Sequence, residues 1–167
     1  MLLLAAGARL GEIVGLRLED VREEGAAGIT SLNITGHEKR RLKNNGSERE
    51  VPVVLFGLTA LKAQVDQAQA SKGDYLFPRC NKTEKTNPNS ASAAVKKRMK
   101  AMGFEELSAH NLRHTVKRLM RDAGVPKDLR DAVQGHGGQS VAETYGRGVA
   151  LGRLGKALMA ALESSAI

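Results

Sequence analysis

The spacing of apolar residues predicts a chain built mainly from amphipathic helices. The clearest apolar stripe lies within residues 107–123, where hydrophobic side chains share one helix face: Leu112, Val116, Leu119, Met120 and Ala123. Gly124 suits the left-handed turn that ends a helix, and Pro126 suits the first turn of the next one. We therefore expect a short helix from Pro126 to Val133, which Gly135 ends.

Further helical segments surround this region. We expect them over residues 1–6, 9–16, 58–71, 90–102 and 149–163. Their predicted apolar positions include Leu58, Leu61, Val65 and Ala68, then Val95, Met99 and Met102, and finally Leu151, Leu154, Leu158 and Leu162. Ser140 and Glu143 match the Ser-x-x-Glu pattern of a helix start, which predicts one more short helix from Val141 that carries Tyr145.

Between Val21 and Val54 the periodicity changes to that of β-strands. Residues 29–34 contain β-branched and apolar residues, residues 50–54 form a second extended run, and polar turns separate them. Pro52 cannot donate a hydrogen bond to a neighbouring strand, so its strand is expected to lie at an edge or to end there. The sequence thus predicts an α+β fold, mainly α, with a small antiparallel β-sheet in one domain.

Composition favours a polyanionic partner. The chain of 167 residues has 26 Lys and Arg against 18 Asp and Glu, a net charge of +8. Basicity alone fits an RNA-binding protein equally well, but aromatic residues are only 3%, which argues against base stacking and favours the backbone of duplex DNA. The single cysteine excludes an internal disulfide and a cysteine-based zinc site, and the apolar residues 1–6 are too few to span a membrane.

Candidate chemistry is concentrated in two stretches. His110, Arg113, His114 and Lys117 fall at i, i+3, i+4 and i+7 on a predicted helix, followed by Gly135-His136 and, nine residues after His136, by Tyr145. The stretch GARLGEIVGLRLEDV near the start contains Arg9 and Glu12. Taken alone, Arg9 and Glu12 would be a solvated ion pair. His110 and His114 have zinc-ligand spacing, but the Glu of His-Glu-x-x-His is missing and His136 is the one further candidate ligand.

In this order and at this spacing, the two stretches resemble the signatures of the tyrosine recombinases, the phage-integrase class of site-specific DNA recombinases. The resemblance extends over nearly the whole chain. It implies that residues 1–167 form the catalytic domain, a helical fold with a small antiparallel sheet, and that the family's N-terminal core-binding domain is absent from this chain. It also implies a cytoplasmic enzyme, bacterial or phage-encoded, that integrates or excises a mobile element.

The resemblance assigns a role to each candidate. Tyr145 attacks the scissile phosphate to form a 3′-phosphotyrosyl bond, so that neither ATP nor a metal ion nor another cofactor is needed. Arg9 and Arg113 hold the nonbridging oxygens. The remaining implied catalytic residues are His110 for proton transfer from the tyrosine, His136 for a hydrogen bond to the phosphate, and Lys43 for protonation of the departing 5′ oxygen, with Lys39 as its alternative. Glu12 and His114 are expected to support these groups.

Double-stranded DNA is the implied partner. The basic residues that we expect to contact it are Lys39, Arg40, Arg41, Lys96, Lys97 and Lys117, although solvated basic surfaces would look the same in the sequence. The resemblance further implies self-association into dimers or tetramers on DNA through the C-terminal helix, which could instead pack on its own domain. A type IB topoisomerase-like nicking enzyme and a catalytically silent DNA-binding domain are the alternative functions.

Overall fold

A computed structural model describes residues 1–23, 28–42, 47–136 and 147–164 of the chain. These residues form seven α-helices: α1 Leu2–Ala6, α2 Leu10–Val14, α3 Phe56–Ala70, α4 Asn89–Ala101, α5 Ala109–Asp122, α6 Lys127–Gln134 and α7 Arg147–Glu163. The strands are β1 Val21–Arg22, β2 Ser31–Ile34 and β3 Arg49–Pro52. The predicted fold class, mainly helical with a small antiparallel sheet, is confirmed. Lys43, Tyr145 and the short helix predicted from Val141 lie outside the described residues.

The three strands form one antiparallel sheet in the order β1-β2-β3. Leu32 pairs with Val51 in the middle of the β2–β3 ladder, and both side chains are buried. Pro52 is the last residue of β3, opposite Ser31, and β3 is an edge strand of this sheet. Both parts of the prediction for Pro52 are therefore confirmed.

Helix α5 lies at the centre of the domain, packed on α1 and α7. Its buried residues Leu112, Val116 and Met120 follow the predicted stripe, because they recur at the helical period. At the end of α1, Gly7 adopts a left-handed conformation with φ 58°, and a Cβ there would lie 3.0 Å from Val116 Cγ1. Glycine at this position thus allows the end of α1 to approach α5 closely.

The C-terminal helix α7 packs on its own domain, against α5, α6 and β3. All four leucines of its predicted stripe are buried there: Leu151, Leu154, Leu158 and Leu162. The apolar surface expected to dock on a neighbouring protomer is therefore used within the chain. Self-association stays a prediction, but these leucines do not provide its interface in this structure.

Two residues predicted to be buried are exposed. Leu58 is 43% exposed because Gly57, one position earlier, faces α1: a Cβ on Gly57 would meet the Ala5 side chain. Met102 is 54% exposed because α4 ends at Ala101, so that this side chain lies beyond the last helical turn. Within the described ranges, none of the helices has the length and apolar character that crossing a membrane requires.

Candidate active site

Arg113 projects from the buried side of α5 and joins three helices. Its Nη1 donates to the carbonyl oxygen of Gly7 at the end of α1, at 2.9 Å, and its Nη2 donates to the carbonyl oxygen of Gln134 at the end of α6. Carbonyl groups at helix C-termini lack partners within the helix and carry partial negative charge, which suits a guanidinium group. The Gln134 amide donates in return to the Arg113 carbonyl oxygen at 3.3 Å. Arg113 is only 5% exposed, so it is part of the core as well as a candidate ligand for phosphate.

Two donors of Arg113 have no acceptor in the part of the chain that the structure describes. Among the described residues, Gly7 O, Gln134 O and His136 Nε2 accept three of its five N–H groups. Burial, and after it the nearby charge of Arg9, lowers the pKa of Arg113 to about 10. The guanidinium therefore remains charged at neutral pH, and the two N–H groups without an acceptor among the described residues can donate to an anion.

His136 follows the turn that ends α6. Its Nε2 lies 3.1 Å from Arg113 Nη2, and because a guanidinium only donates, this nitrogen accepts and the neutral ring carries its proton on Nδ1. Burial, followed by the charges of Arg113, Arg9 and Lys117, lowers the pKa of His136 below its ordinary 6.5. At neutral pH His136 is therefore an uncharged ring with an N–H donor at Nδ1.

Arg9 directly precedes α2, and Glu12 holds it there. Glu12 accepts from the Arg9 backbone amide at 2.8 Å and from Arg9 Nη1 at 2.7 Å. Because Glu12 is 4% exposed, this is not the solvated ion pair that the sequence alone allowed. The Arg9 side chain is one quarter exposed, so its other N–H groups are accessible.

Sequence reasoning missed Arg49, the first residue of β3, which is the second cation on Glu12. Its Nη2 donates to Glu12 Oε2 at 2.8 Å and its Nη1 to Oε1 at 3.3 Å. Burial acts to raise the pKa of Glu12, but the hydrogen bonds and charge of Arg49, with those of Arg9, outweigh burial and lower it. The sequence gives only a weak signal for this contact. Arg49 is a charged residue shortly before an apolar run, and its partner Glu12 lies 37 positions earlier.

The structure thus brings Arg9 and Arg49 onto the carboxylate of Glu12, and the charges of these three residues act on Arg113, which bonds to His136. Together Arg9, Arg49 and Arg113 carry more positive charge than the carboxylate of Glu12 neutralises, and the charge of Arg9 lowers the pKa values of both Arg113 and His136. Such an excess of positive charge, part of it on N–H donors that remain available, favours binding of an oxyanion.

A family model described as "Phage integrase family" matches residues 1–148. The chain belongs to the phage integrase family. Tyrosine recombinase XerA of Pyrococcus horikoshii is 29% identical over 151 residues, which are 87% of this chain and 47% of that protein. Tyrosine recombinase XerC of Herpetosiphon aurantiacus is 27% identical over 149 residues, 86% of this chain and 44% of that protein.

The fold of this phage integrase family member also occurs in a crystal structure of XerA recombinase. The TM-score is 0.59 at 19% sequence identity, and the match covers 99% of this chain and 54% of that one. The chain spans about half the length of the curated relatives it matches.

His110 and His114, by contrast, form a separate pair on the exposed side of α5. Their Nε2 atoms are 2.9 Å apart, and the rings meet nearly at right angles with centroids 4.4 Å apart. Among the described residues, no hydrogen bond links this pair to Arg113 or His136. In the same part of the chain, no three His, Cys, Asp or Glu side chains are grouped so that they could hold a metal ion.

The predicted DNA contacts divide into exposed and buried residues. Arg41, Lys96, Lys97 and Lys117 are exposed, whereas Lys39 is half-buried and its Nζ donates to the Asn81 carbonyl oxygen at 2.9 Å. For Arg40 the prediction of a surface position was wrong, because this residue is 2% exposed. Its guanidinium bonds to the carbonyl oxygens of Thr35 and Glu12 and pairs with Asp20, so it holds the β2–β3 connection on α2.

The lowered pKa of His136 makes stability depend on pH. Between that lowered value and 6.5, the unfolded chain binds more protons than the folded one, so stability falls as pH drops below about 6.5. We expect thermal unfolding midpoints to fall between pH 7.5 and 5, and His136→Gln to reduce this fall, because glutamine accepts from Arg113 without titrating. Glu12 stays ionised over this range, since its pKa is lowered. Equal slopes for wild type and variant in a pH series of thermal scans would contradict the prediction.

Proposed function

We propose that this chain is the catalytic domain of a tyrosine recombinase, which cleaves and rejoins double-stranded DNA through a 3′-phosphotyrosyl intermediate and so integrates or excises a mobile element. One observation carries the proposal. Arg9, at the start of α2, Arg113, which bonds to the ends of α1 and α6, and His136, which bonds to Arg113, form a site with more positive charge than Glu12 neutralises. Family membership and the names of the two relatives support the same chemistry.

Cleavage of the phosphodiester depends chiefly on positive charge and on hydrogen-bond donors that are already in position. As the phenol oxygen attacks phosphorus, negative charge is spread over the nonbridging oxygens of a pentavalent transition state. Arg9 and Arg113 would hold these oxygens, and His136 would donate from Nδ1. Arg113 is already fixed by two carbonyl groups and His136, so little reorganisation accompanies the reaction.

The proton and bond changes balance with groups of this chain. The Tyr145 oxygen bonds to phosphorus, the bond to the 5′ oxygen breaks, His110 assists loss of the phenolic proton, and Lys43 supplies a proton to the departing oxygen. Because a phenol titrates near ~10, its activation at neutral pH depends on the nearby cations. His114 would orient the His110 ring through the 2.9 Å contact between their Nε2 atoms. Attack by a 5′ hydroxyl reverses the step, and the phosphodiester energy is conserved.

A suicide substrate tests the proposal directly. A duplex nicked close to the cleavage site loses a short 5′-hydroxyl fragment after cleavage, so that the covalent intermediate accumulates. We expect a protein–DNA adduct that resists denaturation, and mass spectrometry should find the nucleotide on the peptide that contains Tyr145. Absence of any adduct under conditions in which the protein binds the duplex would overturn the proposal.

Duplex DNA is the proposed partner, bound through its backbone. The exposed cations Arg41, Lys96, Lys97 and Lys117 are available for phosphate contacts, and such contacts release counterions, so affinity should fall steeply with salt. We also propose that protomers assemble on DNA, as a reaction on two duplexes requires two or more nucleophiles. The described part of the chain provides no specific observation in favour of the topoisomerase-like or the silent alternative.

The role of Lys43 gives a prediction that depends on the leaving group. Lys43→Ala should slow cleavage of an ordinary substrate by about 10²-fold or more, because a general acid contributes on that scale. A substrate with sulfur in place of the bridging 5′ oxygen should be affected far less, since a thiolate leaves without a proton. Single-turnover rates on both substrates measure this difference.

Lys39→Ala is the matched control for Lys43→Ala. The ammonium group of Lys39 is bound to the Asn81 carbonyl oxygen, so this variant should slow both substrates equally if it slows them at all. If the sulfur substrate rescues Lys39→Ala instead, the acid is Lys39.

A further inference from the structure

We propose that Arg49 is a positioning residue of the same site: it fixes Glu12, and through Glu12 the orientation of Arg9. This inference rests on the proposed function, since it concerns how the phosphate-binding arginine is held. Arg49 is distinct from the residues that would touch DNA, because its side chain is only 7% exposed.

The Arg49 guanidinium donates hydrogen bonds to two backbone carbonyl oxygens and to Glu12. Nε donates to the Val133 carbonyl oxygen at 2.9 Å and Nη1 to that of Ser47 at 2.8 Å. Nη1 and Nη2 also bind the two oxygens of Glu12, at 3.3 and 2.8 Å. One planar group thereby joins β3 to α2 and to the end of α6, a geometry that only a guanidinium provides.

Glu12 links Arg49 to Arg9, because its carboxylate accepts hydrogen bonds from both residues. Its Oε1 is shared by Arg9 Nη1 and Arg49 Nη1, and its Oε2 by the Arg9 backbone amide and Arg49 Nη2. Among the described residues, Glu12 is the hydrogen-bond acceptor for the Arg9 guanidinium. Without Arg49, the carboxylate would lose two of the four donors that the described residues provide, and the two that remain both belong to Arg9, the residue that it orients.

Arg49 also raises the net positive charge of the site at which a phosphate would bind. With both arginines on Glu12, the carboxylate is neutralised and one positive charge is left over. If Arg9 were the sole arginine on Glu12, the carboxylate would neutralise the positive charge of Arg9, and this pair would offer no net charge to the scissile phosphate. The charge of Arg49 lowers the pKa values of both Glu12 and Arg113, so its field extends across the site.

The turn before His136 is shaped around the same side chain. Gly135 has φ +62°, and a Cβ on it would lie 2.6 Å from Arg49 Nη1. Arg49 is therefore packed against the turn that leads to His136 and also binds Glu12. It connects the two halves of the site, which lie far apart in the sequence.

Arg49→Lys separates positioning from general stability, because lysine retains the charge but cannot bond to Glu12, Val133 and Ser47 together. We expect the single-turnover rate of adduct formation to fall about 10²-fold, as for small displacements of a catalytic group. Affinity for the duplex should change by less than about threefold, since other cations bind the backbone. Glu12→Gln should give a similar loss of rate, and it serves as the second variant if Arg49→Lys does not fold.

Combining the two substitutions is the decisive measurement. If Arg49 acts through Glu12, Arg49→Lys in the Glu12→Gln background should cost less than about threefold further. Full multiplication of the two losses would overturn the inference.

Gln64→Ala is the control for a merely structural effect, because Gln64 is a half-buried residue of α3 whose side-chain amide donates to the Leu76 carbonyl oxygen at 2.7 Å and bonds to none of the site residues. It should lower the melting temperature but leave the rate at 20 °C unchanged. Should Arg49→Lys behave in the same way, with lower melting temperature and normal rate, the inference is wrong. If wild type forms no adduct at all, the proposed function fails first, and the role of Arg49 fails with it.

Discussion

Tyr145→Phe is expected to remove all covalent protein–DNA adduct while duplex affinity stays within about twofold of wild type. Phenylalanine lacks the oxygen that would bond to phosphorus, and no rearrangement of the arginines replaces a missing nucleophile. The rest of the site should be retained, since Arg9, Arg113 and His136 are held by bonds from α1, α2 and α6. Denaturing gels with a suicide substrate measure the adduct, and titration of a labelled duplex measures affinity.

The chain supplies its own matched control, because it contains two tyrosines. The Tyr75 hydroxyl donates to Glu38 at 3.0 Å, and burial raises the pKa of this phenol, which makes it harder to ionise. Tyr75→Phe should therefore form adduct at the wild-type rate. Adduct that persists in Tyr145→Phe and disappears in Tyr75→Phe would transfer the nucleophile to Tyr75 and contradict the proposed arrangement.

Helix periodicity and helix-ending glycines account for most of the fold that the sequence predicts. Gly7 and Gly135 end helices in the left-handed conformation, and the stripe through Leu112 and Val116 is buried. The change of period after Val21 indicates the sheet correctly. These features are local, since each depends on residues within a few turns of one another, and local patterns can be seen in a single sequence.

The sequence predicts the candidate site less completely, because its key contacts join distant residues. Arg113 lies at helical spacing from His110, which suggested one shared polar face, yet Arg113 is buried on carbonyl groups of two other helices and His110 is exposed. Arg40 was expected at the surface from the sequence, and Arg49 carried no prediction. Each is buried and forms an ion pair with an acidic residue 20 or more positions earlier, Arg40 with Asp20 and Arg49 with Glu12. The spacing of residues along the chain does not reveal such a pairing.

Arg113→Ala should abolish detectable cleavage and also destabilise the domain by about 3 kcal/mol, because the buried carbonyl groups of Gly7 and Gln134 would lose their donor. Loss of one donor to the transition-state oxygens alone costs about 10²–10³ in rate, and loss of a fixed charge adds to this. Arg113→Lys should recover little activity, since a single ammonium cannot reach both carbonyl groups and a phosphate. Urea unfolding and single-turnover cleavage measure the two effects.

Arg9→Ala separates these two effects, because Arg9 is one quarter exposed and Glu12 keeps Arg49 as its partner when Arg9 is lost. We expect a comparable loss of cleavage but a change in unfolding free energy below about 1 kcal/mol, the usual scale for a partly exposed pair. The two arginines would then share one catalytic role and differ in their structural role. Equal destabilisation by both substitutions would show that the burial of Arg113 is not what distinguishes it, and normal cleavage by either variant would remove that arginine from the phosphate site.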